Sequence, residues 1–300
     1  MTVQREGIDH QLYRHRPKPA APIWLLPNSA RIAVCVFLYF ECFELEPAQD
    51  SFRDPRFHST MGNLHPNARS HTLFEYGNRI GIFRLLKALD RQGLRATVAA
   101  NAQACQKYPY LVGEFSRRGY EFAAHGSSAN AMITSRMSEA DQRAFILNSI
   151  EIVTQETGQR PRGWIGQDYG ESTVTPFQLA EAGIEYVADW GNDDRPYFMR
   201  TTPPLLSIPN QAEWDDVQMV WHRQVSLPDY SKTVQSAFDV LYDEGKSSAA
   251  FFGIHLHPWL MGWPHRIGYV EAILERVMTK SDVWHATAGV IADHCLRNHS

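Results

Sequence analysis

The residues best suited to chemistry in this chain are two histidines spaced two apart, a glutamate closing an apolar run, and a third histidine beside a glycine. Ile254-His255-Leu256-His257-Pro258 follows the apolar run Ala249 to Phe252 and Gly253, which reads as a buried strand stopped by proline. Alternate residues of a strand share a face, so His255 and His257 point one way while Ile254 and Leu256 pack behind them. Paired imidazoles at a strand end, with Trp259 and Trp263 just beyond, suit proton transfer beside a flat apolar ligand. A satisfied core histidine is the competing account, and it weighs more on His255 than on His257. Arg31 to Phe40 is a second apolar run, suited to a strand covered on both faces, and it ends in Glu41. A carboxylate there must be solvated, paired or functional. Glu44 and Glu46 suit a solvated loop better than Glu41 does. Tyr120 to Ala124 is a third strand, and it ends in His125-Gly126.

Elements must bring these groups together, and the pattern along the chain supplies them. Up to about residue 28 the chain reads as an extended arm, because Pro17, Pro19, Pro22 and Pro27 interrupt any helix. Pro47 to His71 is polar and weakly patterned, so it is either disordered or a lid. A helix follows from about Arg79 to Leu89, and Arg79 at its start could bind an anion or polar ligand, a surface ion pair being the commoner fate. Ala96 to Ala100 is a strand, Tyr110 to Arg118 a helix, and Ser138 caps a helix running to about Glu156. Trp164 to Asp168 closes another strand, and a helix near Thr175 to Ala182 leads to Tyr186 to Trp190. Leu205 to Pro209, Gln218 to His222 and Ala249 to His257 read as later strands. Tyr269 to Lys280 is a helix, and Val283-Trp284 a short strand before a last helix.

This alternation predicts an α/β fold with a single β/α barrel domain over residues 29–300 and an arm over 1–28. In such a barrel the polar groups ending the strands (Glu41, His125, Gln167 with Asp168, Asp189, His255 with His257) converge on one mouth. That convergence is the argument for an enzyme.

Composition narrows the alternatives. The formal net charge is −4, which gives no support for a basic nucleic-acid surface, and no apolar run is long enough for a membrane span. The N-terminal stretch lacks the apolar core of a signal peptide. Cys35, Cys42, Cys105 and Cys295 form no close pair, so a reduced, cytoplasmic protein is expected.

Several stretches together resemble the polysaccharide deacetylase superfamily, most closely its small-molecule branch of allantoinase-like and cyclic imide hydrolase-like proteins. They are Phe40-Glu41, Glu75-Tyr76-Gly77 through Arg79, Tyr120 to Gly126, Arg162-Gly163-Trp164, Asp189 to Pro196 and His255 to Pro264. The resemblance implies a distorted β/α barrel of the polysaccharide deacetylase type with an extended N-terminal arm, and a hydrolase of non-peptide C–N bonds. Metal-dependent members pair two aspartates after the first strand and use a His-x-x-x-His pair. Here those positions hold Glu41 and Cys42, then His125 and Ala129. The expectation is therefore no cofactor, with zinc as the alternative; Cys42, His125 and His257 would then be its ligands.

A metal-free site calls for a reactive substrate, such as a cyclic imide, hydantoin or allantoin-like ring. Glu41 is then the general base, His257 orients water or protonates the leaving nitrogen, and His125 holds Glu41 or the oxyanion. Trp164, Trp190, Trp259 and Trp263 are candidate walls, although core packing is the commoner job of each. Arg79, Gln167, Asp168 and His255 are candidate substrate contacts. Two rivals remain open: a zinc-dependent deacetylase of an N-acetylated sugar or amine, and an inactive ligand-binding relative. The expected partners are a small-molecule substrate and further copies of the chain, as a homo-oligomer such as a tetramer, with neither nucleic acid nor membrane.

Overall fold

The computed structural model describes residues 10–49, 51–52 and 65–298. Nine strands run through them: β1 (Ile32–Phe40), β2 (Ala96–Ala100), β3 (Glu121–Ala124), β4 (Gly163–Trp164), β5 (Tyr186–Val187), β6 (Tyr197–Phe198), β7 (Leu206–Ser207), β8 (Ala250–Leu256) and β9 (Val283–His285). They form one sheet in the order β6-β7-β5-β4-β3-β2-β1-β8. Strand β9 joins the start of β1, on Ile32 to Val34, and β2 takes up the rest of β1 from Val36. All pairs are parallel except β6 with β7. Parallel strands need crossover connections, and helices over residues 82–91, 109–117, 139–157 and 227–244 are among those that cover the outer face. The result is a distorted β/α barrel with an N-terminal extension.

The barrel is open between β8 and the β7 side, and side chains take the place of the missing strand. Gln211 lies along the free edge of β8, its Nε2 donating to Phe251 O at 2.8 Å and its Oε1 accepting from Gly253 N at 2.6 Å. Trp214 Nε1 donates to Gly253 O at 3.1 Å, and Asp216 Oδ2 accepts from His257 N at 2.8 Å. A buried strand edge without partners would forfeit its backbone hydrogen bonds. This repair also carries Asp216 to the end of β8.

Alternation along the strands decides which residues look inward. In β1, Val34, Val36, Leu38 and Phe40 pack under the helices, whereas Ala33, Cys35, Phe37 and Tyr39 fill the interior with Ala99, Ala123, Ile165 and Phe251. Small alanines opposite large rings let the interior pack solidly. Below, Trp24 and Leu26 of the arm seal this core, and Ala249 N donates to Trp24 O at 2.9 Å. Above, each inward row ends in a polar side chain.

One sequence expectation is corrected and one element is added. Gln218 to His222 is a helical turn, Val217–His222, because the Asp215 carboxylate accepts from Val217 N at 2.7 Å and Gln218 N at 3.1 Å and so caps it. The stretch between Ser226 and Ala249, left unassigned above, holds an 18-residue helix, Leu227–Glu244, whose Ser226 cap accepts from Asp229 N. The Pro47 to His71 stretch ends in the helix Ala68–Tyr76, and the lid expectation falls largely on 53–64, outside the described residues. No helix among the described residues is long and apolar enough to cross a membrane.

Candidate active site

The inward rows of β1 and β8 run side by side, with Phe37 in register with His255 and Leu38 with Leu256. The next residues upward are therefore Tyr39 beside His257, whose rings stack at 3.8 Å and 13°. Two residues beyond Tyr39 stands Glu41, 3 % exposed. Gln167 Nε2 donates to its Oε1 at 3.0 Å and Trp259 Nε1 to its Oε2 at 2.9 Å. Asn78 holds its backbone carbonyl at 2.7 Å. The carboxylate is thus held from both sides. Trp259 can come this close because Gly77 lies beneath it: a Cβ at Gly77 would stand 2.5 Å from the Trp259 backbone nitrogen.

Opposite Glu41 is His257. Its Nδ1 pairs with Asp216 Oδ1 at 2.5 Å, while Asp215 Oδ2 accepts from Tyr169 Oη at 2.5 Å. Burial on its own lowers the basicity of His257. The Asp216 charge in contact, with Glu41 and Asp215 behind it, outweighs burial and raises its pKa to about 9. The same burial lifts Asp216 to about 6 against the pull of His257. At neutral pH the pair is an imidazolium held by a carboxylate, with Nε2 left for the cavity.

His125 donates Nδ1–H to Ile165 O at 2.5 Å, which leaves Nε2 as the atom that faces Glu41. That nitrogen is 3.8 Å from Glu41 Oε1. His255 lies one layer lower, stacked on Phe37 at 5.0 Å, with Tyr39 Oη 2.9 Å from its Nδ1. Burial, opposed by Asp215 and reinforced by the charge on His257, lowers it to about 4, so it is a neutral member of the core.

Tyr39, Glu41, His125, Gln167, Asp168, Tyr169, Asp215, Gln218, His257 and Trp259 are among the residues that line one small cavity. The other sequence candidates lie elsewhere. Arg79 is exposed, and its neighbour Asn78 turns inward instead. Trp164 is fully buried in a third core cluster, Trp190 packs on Tyr13 of the arm, and Trp263 stacks on Tyr76 at 3.8 Å. Tyr39, Tyr169, Asp215 and Asp216 were missed. Glu213-Trp214-Asp215-Asp216 reads as a solvated acidic turn, and only its capping role and the β8 edge draw it inside.

Beneath the 166–170 turn lies a pair of carboxyls. Asp189 Oδ1 accepts from Gly166 N at 2.7 Å and Glu171 Oε2 from Trp190 Nε1 at 3.2 Å, while Asp189 Oδ2 and Glu171 Oε1 are buried without another donor. Burial, then the neighbouring carboxyl, raises Glu171 well above the usual range, and burial lifts Asp189 to about 6. Sharing a proton satisfies both oxygens. Because the folded chain holds a proton that the unfolded chain has already released, this contribution is full below the ordinary carboxylate range and is lost as pH rises through the raised range of the pair. Asp189→Asn keeps the acceptor for Gly166 and gives Glu171 a permanent donor. Its stability relative to wild type, measured by urea unfolding, should rise between pH 5 and pH 8 by on the order of 1 kcal/mol. An equal difference at both pH values would contradict the shared proton.

Asp215, Asp216 and His257 also form a candidate metal centre, with one ligand atom of each within 4.8 Å of the others. Carboxylate and imidazole are donor types that zinc accepts. Donors on one zinc ion stand roughly 3.3 Å apart, given bonds of about 2.0–2.1 Å, whereas His257 Nδ1 and Asp216 Oδ1 are 2.5 Å apart. Zinc held here would require His257 Nδ1 and Asp216 Oδ1 to give up the proton they share and to move apart. The ligand set expected from sequence, Cys42 with His125 and His257, is corrected. Cys42 and Ala129 are packed in the outer hydrophobic cluster, tied by Ala129 N to Cys42 O at 2.9 Å, and burial raises the Cys42 thiol.

Comparison with known proteins agrees with this architecture. Residues 67–187 match the family described as polysaccharide deacetylase. A Schizosaccharomyces pombe protein described as a candidate polysaccharide deacetylase is 27 % identical over 91 % of this chain and 92 % of its own. The crystal structure of a probable polysaccharide deacetylase from Pseudomonas aeruginosa PAO1 superposes with a TM-score of 0.81 at 29 % identity, covering 93 % of this chain and 95 % of that one. That of the allantoinase PuuE does so with a TM-score of 0.79 at 28 % identity and the same coverage. Over most of its length the chain is thus similar to proteins described as polysaccharide deacetylases and shares their fold. It is a hydrolase acting on carbon–nitrogen bonds other than peptide bonds.

Proposed function

We propose that the protein removes the acyl group from the nitrogen of a small N-acetylated amine or sugar, with Glu41 as general base and His257 as general acid. The observation that carries this reading is that a fixed carboxylate and a carboxylate-backed imidazolium open on one small cavity. Glu41 takes a proton from water as its oxygen adds to the acyl carbon. The tetrahedral intermediate then expels the nitrogen, which leaves as an amine after receiving the proton of His257 Nε2. His125 Nε2 accepts from the attacking water and orients it. Zinc held by Asp215, Asp216 and His257 would supply a Lewis acid for the acyl oxygen and a water of lowered pKa, with His257 then a neutral ligand in place of the cationic acid.

Opening of a cyclic imide, hydantoin or allantoin-like ring is the second reading. The near full-length likeness to an allantoinase favours it. Purified protein assayed for acetate release from N-acetylated amines and sugars, and for ring opening of imides, hydantoins and allantoin, separates the two. Each assay is run after chelation and after zinc addition. Acetate release supports the first reading, with a zinc requirement assigning Asp215, Asp216 and His257 to the metal, whereas ring opening unaffected by chelation replaces it with the second. Turnover in neither series removes both.

A further inference from the structure

The 166–170 turn carries an unusual backbone. Asp168 has φ 53° and Tyr169 φ 57°, so two consecutive residues other than glycine occupy the left-handed region. Such conformations are strained for residues with a Cβ and persist only where the surroundings impose them. What imposes this one is visible at the Tyr169 hydroxyl. It donates to Asp215 Oδ2 at 2.5 Å and lies 3.2 Å from Tyr39 Oη. Both ends of that hydrogen bond belong to short turns that do something else. On one side, Gln167, two residues before Tyr169, donates to Glu41 Oε1. On the other, Asp215 caps the 217–222 turn through Val217 N and Gln218 N, and its neighbour Asp216 holds both the backbone and the ring of His257.

We propose that Tyr169 is a positioning residue whose hydroxyl latches the turn that fixes Glu41 to the turn that fixes His257, and so sets the spacing of base and acid across the cavity. This rests on the roles of Glu41 and His257 given above. Tyr39 supports the latch from below, with its hydroxyl against Tyr169 and its ring against His257. The latch joins two loops from different parts of the chain. A phenylalanine at 169 keeps the ring in place and removes only the tie, so the reacting groups remain but their separation is no longer fixed.

The test is a double-mutant cycle of Tyr169→Phe and Asp215→Asn, read as kcat and KM on whichever substrate the screen identifies, with thermal unfolding of every variant. Tyr169→Phe should lower kcat on the order of 10²-fold, the cost of displacing reacting groups by about an ångström. KM should stay within about twofold, as expected when the lost interaction acts on the transition state. The double variant should be no slower than Asp215→Asn alone, because both changes cut one bond. A fall in Tm with kcat unchanged, a loss confined to KM, or additive losses in kcat would overturn the proposal. Should Tyr169→Phe fail to fold, Asp215→Asn carries the test: its kcat must fall comparably at unchanged KM, and an unchanged kcat overturns the latch. Glu41→Gln is assayed in parallel. If it retains activity, the acid–base reading itself has failed; if it is inactive while Tyr169→Phe is fully active, only the latch has.

Discussion

Glu41→Gln should lower kcat by about 10³-fold, within the range that a positioned general base contributes, while the protein stays folded. The substitution is close to isosteric, so the effect on activity comes from the lost basicity. Trp259 and Gln167 each present an N–H to the Glu41 side chain, and the Asn78 amide holds its backbone. A glutamine at 41 offers one oxygen for these two donors and turns its own amide toward the other. One mismatched buried donor costs about 1–3 kcal/mol, a drop of several degrees in Tm for a chain of this length rather than loss of the fold. The measurement is kcat and KM with thermal unfolding on the same preparation. Activity near wild type would remove Glu41 from the mechanism, since no other carboxylate receives both the Gln167 and Trp259 N–H groups.

Asp216→Asn should damage stability and rate together, which distinguishes it from Glu41→Gln. The Asp216 carboxylate is fully buried and takes both the backbone N–H and the ring of His257. Breaking a buried ion pair by neutralising one partner costs about 3–5 kcal/mol, because the other charge is left uncompensated. Asparagine can still accept one of the two bonds, so the loss should sit at the low end of that range. With its main counter-charge gone, His257 is no longer held as a cation, and kcat should fall by on the order of 10²-fold. Urea unfolding and steady-state kinetics check the two effects. An unchanged urea midpoint would mean that Asp216 is not compensating a buried charge.

Much of this architecture is legible in the sequence, and the exceptions have physical causes. Long apolar runs such as Arg31 to Phe40 and Ala249 to Leu256 can only be strands covered on both faces, and their ends mark the mouth of the barrel. Alternation then gives His257 and Glu41 from pattern alone. It does not give Tyr39, because a tyrosine in an apolar run looks like core until its register with His257 is known. Asp215 and Asp216 are hidden for a related reason. Their function depends on a gap in the sheet, and a gap is a property of the closed barrel rather than of any segment. Tyr169 is hidden because nothing local announces a left-handed tyrosine. The tryptophans misled in the opposite sense: Trp164 and Trp263 are large and near motif residues, but burial and ring stacking account for them.

The central claim is that Glu41 and His257 act on the two ends of one C–N bond. A crystal structure with a tetrahedral phosphonate or phosphonamidate analogue of the substrate tests it most directly. The account predicts an analogue oxygen within hydrogen-bond distance of the Glu41 carboxylate, and the atom replacing the leaving nitrogen within the same distance of His257 Nε2. An analogue bound with either group out of reach would contradict it.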